Sequence, residues 1–391
     1  MLIMMENLFP TKPPQLPHRA TLTRADGLHR LHTVLPSLGR SYTTRRNVVP
    51  APGKAATTSL LSPYLRRRLI TESETISIVL QRHGAVGAEK FIDEVFWRTY
   101  WKGYLQANPA IWARYHDRLK AANAQAEHDP ALAARLRAAL DGATGIGCFD
   151  AWVTELRETG FLHNHVRMWF ASIWIFTLGL PWEIGAAFFL DQLIDGDPAS
   201  NTLSWRWVAG LHTVGKHYVA RAENIARYTE GRYDPRGELN ETPVALAEDP
   251  LPPPELLQAS LPMPDGMVAL LLHAEDGNPE TLDWPQDCVG TLLMLHDPAE
   301  AGALSDIAAR AEAHFNRPVE LCAGVDHVLA AAGNLPILTP FAPIGPTADA
   351  LAPLGAHTLL RDWDRAAWPR CTRGFFGLKA QIPRLLGGLR Q

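Results

Sequence analysis

The chain has 391 residues, of which 47% are hydrophobic and 20% are charged, and this composition excludes a disordered protein. Its net charge of −4 excludes a uniformly basic protein that coats nucleic acid. Its four cysteines show neither a CxxC pair nor metal-ligand spacing, and its longest apolar run, residues 168–181, is too short for a membrane span of roughly 20 residues. We therefore expect a cytoplasmic protein of two domains, without a secretory leader, a metal site or a membrane partner.

The first segment, residues 1–41, is predicted to be a basic N-terminal arm with at most one short helix. It is rich in proline and lacks a sustained hydrophobic period. Residues 1–70 contain eleven Lys or Arg and only two acidic residues, and Arg66, Arg67 and Arg68 belong to this excess. The excess indicates either a solvated arm or a local phosphate-binding face.

A helical domain is predicted over residues 42–240, because the apolar spacing there is mainly three to four residues. Short turn signals, such as residues 141–145, separate the helices. The expected helices span 74–90, 91–106, 108–127, 130–140, 149–159, 161–179, 182–193 and 202–229.

The composition and the spacing of apolar residues change after residue 240. Proline density rises over residues 241–264, which predicts a linker or a wrapped connection. Residues 265–391 alternate short apolar runs with helical patterns, so we predict a small C-terminal α/β domain of Rossmann-like type with a largely parallel sheet. The expected strands are 268–273, 289–296, 318–323, 335–341 and 357–362, and the expected helices are 301–315, 324–333 and 347–354.

One predicted helix places polar and aromatic side chains on a single face. Glu94, Trp97, Arg98 and Trp101 fall at positions i, i+3, i+4 and i+7, opposite an apolar side. Such a face is either an amphipathic surface with an ion pair or the wall of a pocket that stacks a planar ligand.

A second constellation involves the start of the apolar helix near residue 163 and the loop near residue 195. Arg167 precedes an otherwise apolar stretch, and a buried guanidinium needs a carboxylate or phosphate partner. Asp195 and Asp197 are the candidate partners. The pair is either purely structural or part of a binding site.

Taken together, these stretches resemble the FAD-binding domain of the DNA photolyase/cryptochrome family, of the cyclobutane-dimer photolyase type, over roughly residues 42–230. The family places an α/β domain before the flavin domain, so the C-terminal α/β segment would be that domain in permuted and reduced form. The matching pieces are YTTRRN (42–47), TTSLLSPYL (57–65), DEVFWRTYWKGYL (93–105), TGIGCFDAW (144–152), TGFLHNHVRM (159–168), LPWE (180–183) and DQLIDGDPASNTLSWRW (191–207).

The resemblance implies FAD as the cofactor, and we expect no tightly bound antenna chromophore. Arg167 would pair with Asp195, Asp197 would face the pyrimidine edge of the flavin, and Asn201 would lie beside flavin N5. The residues implied as FAD contacts are Tyr42, Thr58, Ser59, Leu61, Ser62, Arg98, Asn164, Arg167, Asp195, Asp197 and Asn201.

The implied activity is blue-light-driven repair of pyrimidine dimers by electron transfer from reduced FAD, with DNA, including single-stranded DNA, as the partner. Photolyases act on a base that is flipped out of the helix. Arg46 would contact the DNA backbone, with Arg66, Arg67 and Arg68 adding positive charge. The residues implied to bind the dimer and act on it are Glu94, Trp97, Asn164, Met168 and Trp207.

Trp205 and Trp182 match the proximal and middle members of the family's electron-transfer chain. The third position holds Asp129, so another aromatic residue would replace it; the candidates are Trp112, Trp152 and Trp174. The sequence after Trp207 also departs from the usual continuation. Two alternatives therefore stay open: a cryptochrome-like blue-light photoreceptor without repair activity, and a redox or storage flavoprotein.

Overall fold

The structure is a computed structural model that describes residues 21–255, 262–284 and 286–388. The first twenty residues of the predicted arm, with Pro10, Pro13, Pro14 and Pro17, and residues 256–261 of the predicted linker lie outside the described residues. The chain forms two compact units, and each is continuous in space but not in sequence. Unit 1 comprises residues 40–59 and 108–253, and unit 2 comprises the described parts of 17–39, 60–107 and 254–391.

The described residues are mostly helical, with one small sheet. The strands are β1 (Val268–Leu272), β2 (Val289–Leu295), β3 (Val319–Cys322), β4 (Ile337–Pro340) and β5 (His357–Leu359). The α-helices are α1 (Arg24–Val34), α2 (Arg40–Arg45), α3 (Ser62–Arg66), α4 (Glu72–Gly87), α5 (Glu89–Ala107), α6 (Ala110–His128), α7 (Pro130–Asp141), α8 (Gly147–Thr159), α9 (Asn164–Ser172), α10 (Trp182–Gln192), α11 (Pro198–Ala209), α12 (Ala222–Tyr228), α13 (Ala301–Phe315), α14 (Val325–Ala332), α15 (Pro346–Leu351), α16 (Asp362–Ala367), α17 (Phe375–Lys379) and α18 (Ile382–Gly388).

Unit 1 is built from α2 and α6 to α12. The predicted helices between residues 108 and 193 are confirmed to within a few residues. The apolar run after residue 168 is a buried helix that continues from α9 as a π-helical turn, Ile173–Thr177. Trp169, Phe170 and Trp174 are fully buried in it. No helix in the described ranges combines the length and apolarity that crossing a membrane would take.

The prediction of one long helix over residues 202–229 is wrong. Helix α11 ends at Ala209 because Gly210 adopts a φ of 84°, a left-handed conformation that terminates a helix. A Cβ at Gly210 would also lie 2.8 Å from the Cβ of Ala245. The chain resumes helical structure only at α12.

Unit 2 contains a five-stranded, fully parallel sheet with the order β3-β2-β1-β4-β5. All five predicted strands are confirmed. Strand β1 lies at the centre and every one of its residues is buried, which explains its continuous apolar sequence. The strand order reverses at β1, as in doubly wound α/β folds.

The structure contradicts the interpretation of Arg66, Arg67 and Arg68 as part of a phosphate-binding face. Their exposed fractions are only 7%, 1% and 2%. Each guanidinium forms an ion pair with a carboxylate inside unit 2, because a buried charge needs a charged partner. The partners are, in order, Glu275, Glu300 and Asp364.

Residues 241–255, the described part of the predicted connection that belongs largely to unit 1, have no helix or strand. They are nevertheless anchored. Glu248 accepts hydrogen bonds from the buried Arg206, and Arg114 lies 3.4 Å from the same carboxylate. Arg114 also donates to the carbonyl oxygens of Asp249 and Pro250. The segment is therefore wrapped against unit 1.

Candidate functional site

Helix α9 begins at a buried histidine. Nδ1 of His163 accepts the backbone N–H of His165 at 3.2 Å and so caps the helix. Burial, with a smaller contribution from His165, lowers the pKa of His163 to about 3. The imidazole is therefore neutral near pH 7, with its proton on Nε2, which lies 3.4 Å from the hydroxyl of Thr57. This cap fixes the start of the helix that carries Asn164, Arg167 and Met168.

Arg167 and Asp195 form the ion pair that the resemblance implies. Nη2 of Arg167 lies 3.0 and 3.1 Å from the two carboxylate oxygens of Asp195, and Nε donates to the carbonyl oxygen of Leu162 at 2.9 Å. The Asp195 side chain is buried, whereas that of Arg167 is 24% exposed. The pair thus ties α9 to the loop before α11 with charge-assisted hydrogen bonds.

Asp197 and Asn201 follow on that loop and on the first turn of α11, and both are buried. Asp197 is the N-cap of α11 and accepts the N–H of Ser200 at 2.7 Å. The amide of Asn201 donates to the carbonyl oxygen of Ala186 at 2.7 Å, which orients the side chain between α10 and α11. The side chains at both positions are thus held in place by main-chain contacts.

This group fits the polar edge of a flavin. That edge alternates carbonyl acceptors with an N–H donor, and the group combines carboxylates with an amide and a guanidinium. The buried hydroxyls of Ser200 and Thr202 have no hydrogen-bond partner among the described residues. Buried polar atoms of this kind are usually satisfied by a ligand or water.

Asn164 and Met168 lie one turn apart on α9. The amide nitrogen of Asn164 is 4.0 Å from the sulfur of Met168. Asn164 is exposed and Met168 is half-buried. The two side chains therefore form an accessible patch on unit 1, next in sequence to the Arg167 pair.

Trp205 packs directly on the backbone of α10. A Cβ at Gly185 would overlap the ring of Trp205 and would lie 2.9 Å from Trp174. This close approach requires glycine. It explains why a glycine stands in the interior of α10.

Aromatic contacts distinguish the candidates for the third electron-transfer residue. The ring of Trp182 lies 5.6 Å from that of Tyr115, which lies 5.5 Å from Trp112. Trp174 contacts Trp205 at 6.3 Å but is fully buried, whereas Trp112 is 6% exposed. The ring of Trp152 contacts those of Trp169 and Tyr233, which are not members of the matched chain.

The other residues of unit 1 that were predicted to bind FAD or DNA lie outside α9 and the loop before α11. Tyr42 is buried on α2 and Arg46, which follows α2, is half-buried. Thr58 and Ser59 are half-buried in an irregular segment. Trp207 on α11 is stacked with Tyr218 at 5.6 Å and 26°, a contact that the sequence analysis did not foresee.

Unit 2 carries the other predicted residues. Leu61 and Ser62 lie at the start of α3. Glu94, Trp97 and Arg98 share α5, and all three are half-buried. Phe375 on α17, a residue that sequence reasoning missed, is stacked on the indole of Trp97 at 3.8 Å and 11°.

Comparison with known proteins supports FAD as the cofactor. Residues 91–245 match the family model of the FAD-binding domain of DNA photolyase. Curated relatives named deoxyribodipyrimidine photo-lyase include one from Streptomyces griseus, 31% identical over 54% of this chain and 46% of the relative, and one from Thermus thermophilus, 35% identical over 46% of this chain and 41% of the relative. The chain thus spans less than half the length of these relatives.

Two solved structures are also similar. One is a bacterial class III photolyase from Agrobacterium tumefaciens, with a TM-score of 0.43 and 24% identity over 56% of this chain and 46% of that chain. The other is a cryptochrome from Synechocystis sp. PCC6803, with a TM-score of 0.44 and 23% identity over the same shares. The family match identifies residues 91–245 as a segment similar to the FAD-binding domain of DNA photolyase.

Proposed function

We propose that this protein is a light-dependent DNA repair enzyme of the photolyase type that splits cyclobutane pyrimidine dimers. The observation that carries the proposal is the Arg167–Asp195 pair, next to the buried Asp197 and Asn201, within the segment that matches the FAD-binding domain. When bound and reduced, FAD supplies the electron that blue light makes available for splitting the dimer. The protein side chains bind, orient and shield the reactants.

The residues that would hold FAD have distinct tasks. Asp195 holds Arg167 in place, Asp197 accepts from the pyrimidine edge, and Asn201 offers an amide beside N5. Hydroxyls at the start of a helix and a guanidinium suit a pyrophosphate. The residues proposed for that part of the cofactor are Tyr42, Thr58, Ser59, Leu61, Ser62 and Arg98.

The lesion would be a flipped-out dimer in single- or double-stranded DNA. Glu94 would hydrogen-bond the dimer, and stacking on Trp97 or Trp207 would contribute about 1–3 kcal/mol per base. Asn164 and Met168 would line the pocket, and Arg46 would contact a phosphate.

We propose Trp112 as the end of the electron-transfer chain, in the order Trp112, Tyr115, Trp182, Trp205. The contacts of 5.5 and 5.6 Å between Trp112, Tyr115 and Trp182 support this order. An external reductant needs an accessible terminus, and Trp112 is more exposed than Trp174 or Trp152.

The parallel sheet of unit 2 is proposed to be the family's α/β domain in permuted, reduced form. Ligands of such sheets bind at the carboxyl ends of the strands where the order reverses. After β1, Glu275 is paired there with Arg66, and Asp276 with Arg361. Because these ion pairs occupy that edge, we propose that it holds no antenna chromophore.

A cryptochrome-like light sensor is the second candidate. The stacking of Phe375 on Trp97 favours it, because Phe375 covers an indole that repair would use.

A Glu94→Ala variant distinguishes the two functions. For a repair enzyme, dimer repair falls sharply and flavin photoreduction is unchanged; Glu127→Ala, at an exposed position on α6, is the control. Photoreduction without repair in the unmodified protein supports the sensor. Light-independent turnover with a nicotinamide donor supports a redox flavoprotein.

A further inference from the structure

The indole of Trp97 is covered by an aromatic ring from the far end of the sequence. The centroids of Trp97 and Phe375 are 3.8 Å apart and their planes differ by 11°. This separation is a single van der Waals layer. No base fits between the two rings, so a base cannot stack on that face of Trp97 while Phe375 is in place.

Helix α17 is anchored to the same helix that carries Trp97. Lys379, at the end of α17, donates to Asp93 at 2.6 Å and to Glu89 at 3.2 Å. Leu378 is fully buried. One turn of α17 therefore holds Phe375 in position by an aromatic stack at one end and ion pairs at the other.

The ion pairs are only partly shielded from water. The side chains of Lys379 and Glu89 are 31% and 56% exposed, so this pair contributes little stability. The side chain of Asp93 is only 11% exposed, so its contact with Lys379 at 2.6 Å is the main polar anchor of α17. The next residue, Phe376, is 80% exposed. Helix α17 spans only five residues, so its displacement is a local opening that breaks the packing of Phe375 and Leu378 and the contacts of Lys379.

Phe375 also lies outside the segment that matches the FAD-binding domain, which ends at residue 245. The stack is thus a contact between α5, most of which lies in the matching segment, and a residue outside that segment. Trp207, the other tryptophan proposed to bind the lesion, is also stacked on an aromatic ring. Its partner is Tyr218 of unit 1, and the separation of the two rings is larger, 5.6 Å.

We propose that Phe375 is an internal competitor for the base-stacking face of Trp97, and that α17 must move before a flipped base binds there. This inference rests on the proposed function, because it takes Trp97 to be a lesion-binding residue. Competition of this kind lowers the apparent affinity by the fraction of molecules in which the face is uncovered. The same factor applies to every ligand that stacks on this face, so the competition weakens binding of the dimer and of an ordinary base alike.

The test is a dark binding titration, which requires no photochemistry. A fluorescent single-stranded oligonucleotide with one thymine cyclobutane dimer is titrated with FAD-loaded protein, beside the same oligonucleotide without the dimer. We expect Phe375→Ala to lower the Kd for the dimer oligonucleotide by about three- to tenfold, the effect of removing one competing aromatic stack. Phe376→Ala is the matched control and leaves the Kd unchanged.

Two further variants test the same inference in case Phe375→Ala does not fold. Lys379→Met leaves both rings in place but removes the anchors of α17, and it should also tighten binding. In a Trp97→Ala background, Phe375→Ala should give no tightening, because the contested face is gone. Folding of each variant is checked by its thermal unfolding midpoint.

The outcomes separate this inference from the proposed function. If the unmodified protein prefers the dimer and neither Phe375→Ala nor Lys379→Met binds it more tightly, Phe375 is a structural neighbour only and the inference is wrong. If no protein, including Phe375→Ala, prefers the dimer oligonucleotide, the proposed function fails and the inference fails with it. Tightening that persists without Trp97 also overturns the inference.

Discussion

Nη2 of Arg167 is shared almost equally between the two carboxylate oxygens of Asp195, at 3.0 and 3.1 Å, and this pair joins α9 to the loop that precedes α11. Three residues proposed for the flavin, Asp195, Asp197 and Asn201, lie within seven positions of one another on that loop and helix. The pair is therefore the structural connection between the helix that carries Asn164 and Met168 and the polar group that fits a flavin edge.

Replacing Arg167 by Met is expected to lower both FAD content and stability. Asp195 would be left as a buried carboxylate without its cation, and breaking a buried pair costs about 3–5 kcal/mol. The cost is expected at the lower end, because Arg167 is 24% exposed. The measurements are the flavin absorbance of the purified protein and its free energy of unfolding.

Arg236→Met is the control, since that side chain is 75% exposed and its ion pair is with the exposed Asp234. A full complement of FAD in Arg167→Met would contradict the assignment of the pair to the flavin site.

Trp112→Phe is expected to slow flavin photoreduction at least about tenfold, equivalent to about 1.4 kcal/mol in the barrier. The variant removes the proposed terminus of the chain but keeps an aromatic ring against Tyr115. Photoreduction is followed as flavin bleaching under blue light with an external reductant. Trp174→Phe is the comparison; a larger loss there than in Trp112→Phe would place the terminus at Trp174.

Arg68→Met is expected to destabilise unit 2 by about 3–5 kcal/mol. Arg68 is fully buried and its guanidinium lies 2.6 Å from Asp364, 3.3 Å from Glu72 and 3.5 Å from Asp276. Removing one cation leaves three buried carboxylates with less compensation. Denaturant unfolding measures the change. Arg365→Met, at an exposed ion pair, should change stability by no more than about 0.5 kcal/mol.

Stability is expected to fall in mild acid because of His163. Its folded-state pKa is held at about 3 by burial, so below about pH 6.5 the unfolded chain binds a proton that the folded chain does not. The free energy of unfolding therefore decreases as the pH falls from about 6.5 towards 3, by up to about 1.4 kcal/mol per pH unit.

A His163→Gln variant should show a shallower acid slope than the unmodified protein, measured by denaturant unfolding across this pH window. Replacing the exposed His29 by Gln controls for the loss of an imidazole. Equal slopes for His163→Gln and the unmodified protein would mean that the capping imidazole does not titrate with unfolding.

The sequence predicted the elements well wherever periodicity was strong. Helices α5 to α10 and all five strands followed from apolar spacing, because each buries one face or both faces against its own unit. The break at Gly210 was missed, since a glycine inside a helical pattern does not reveal its φ. The chemical need of the Arg167 guanidinium indicated Asp195 or Asp197 as its partner, and the family resemblance implied Asp195.

Contacts between residues far apart in sequence could not be predicted. Arg67 and Arg68 lie 233 and 296 positions from Glu300 and Asp364, and no local pattern announces such partners. In the sequence, a cluster of arginines indicates a solvent-facing basic surface. Only the tertiary structure shows that unit 2 places buried carboxylates against these arginines. Phe375 was missed for the same reason, because stacking on Trp97 depends on tertiary structure alone.

The most direct test of the central claim is repair of a defined lesion. Protein loaded with FAD and chemically reduced is mixed with oligonucleotides, single- and double-stranded, that contain one cyclobutane dimer, and dimer content is measured after blue light and after darkness. We predict light-dependent loss of the dimer over several turnovers, with no loss in the dark or with free FAD. Dimer content unchanged by light, in protein whose flavin is demonstrably reduced, would contradict the account.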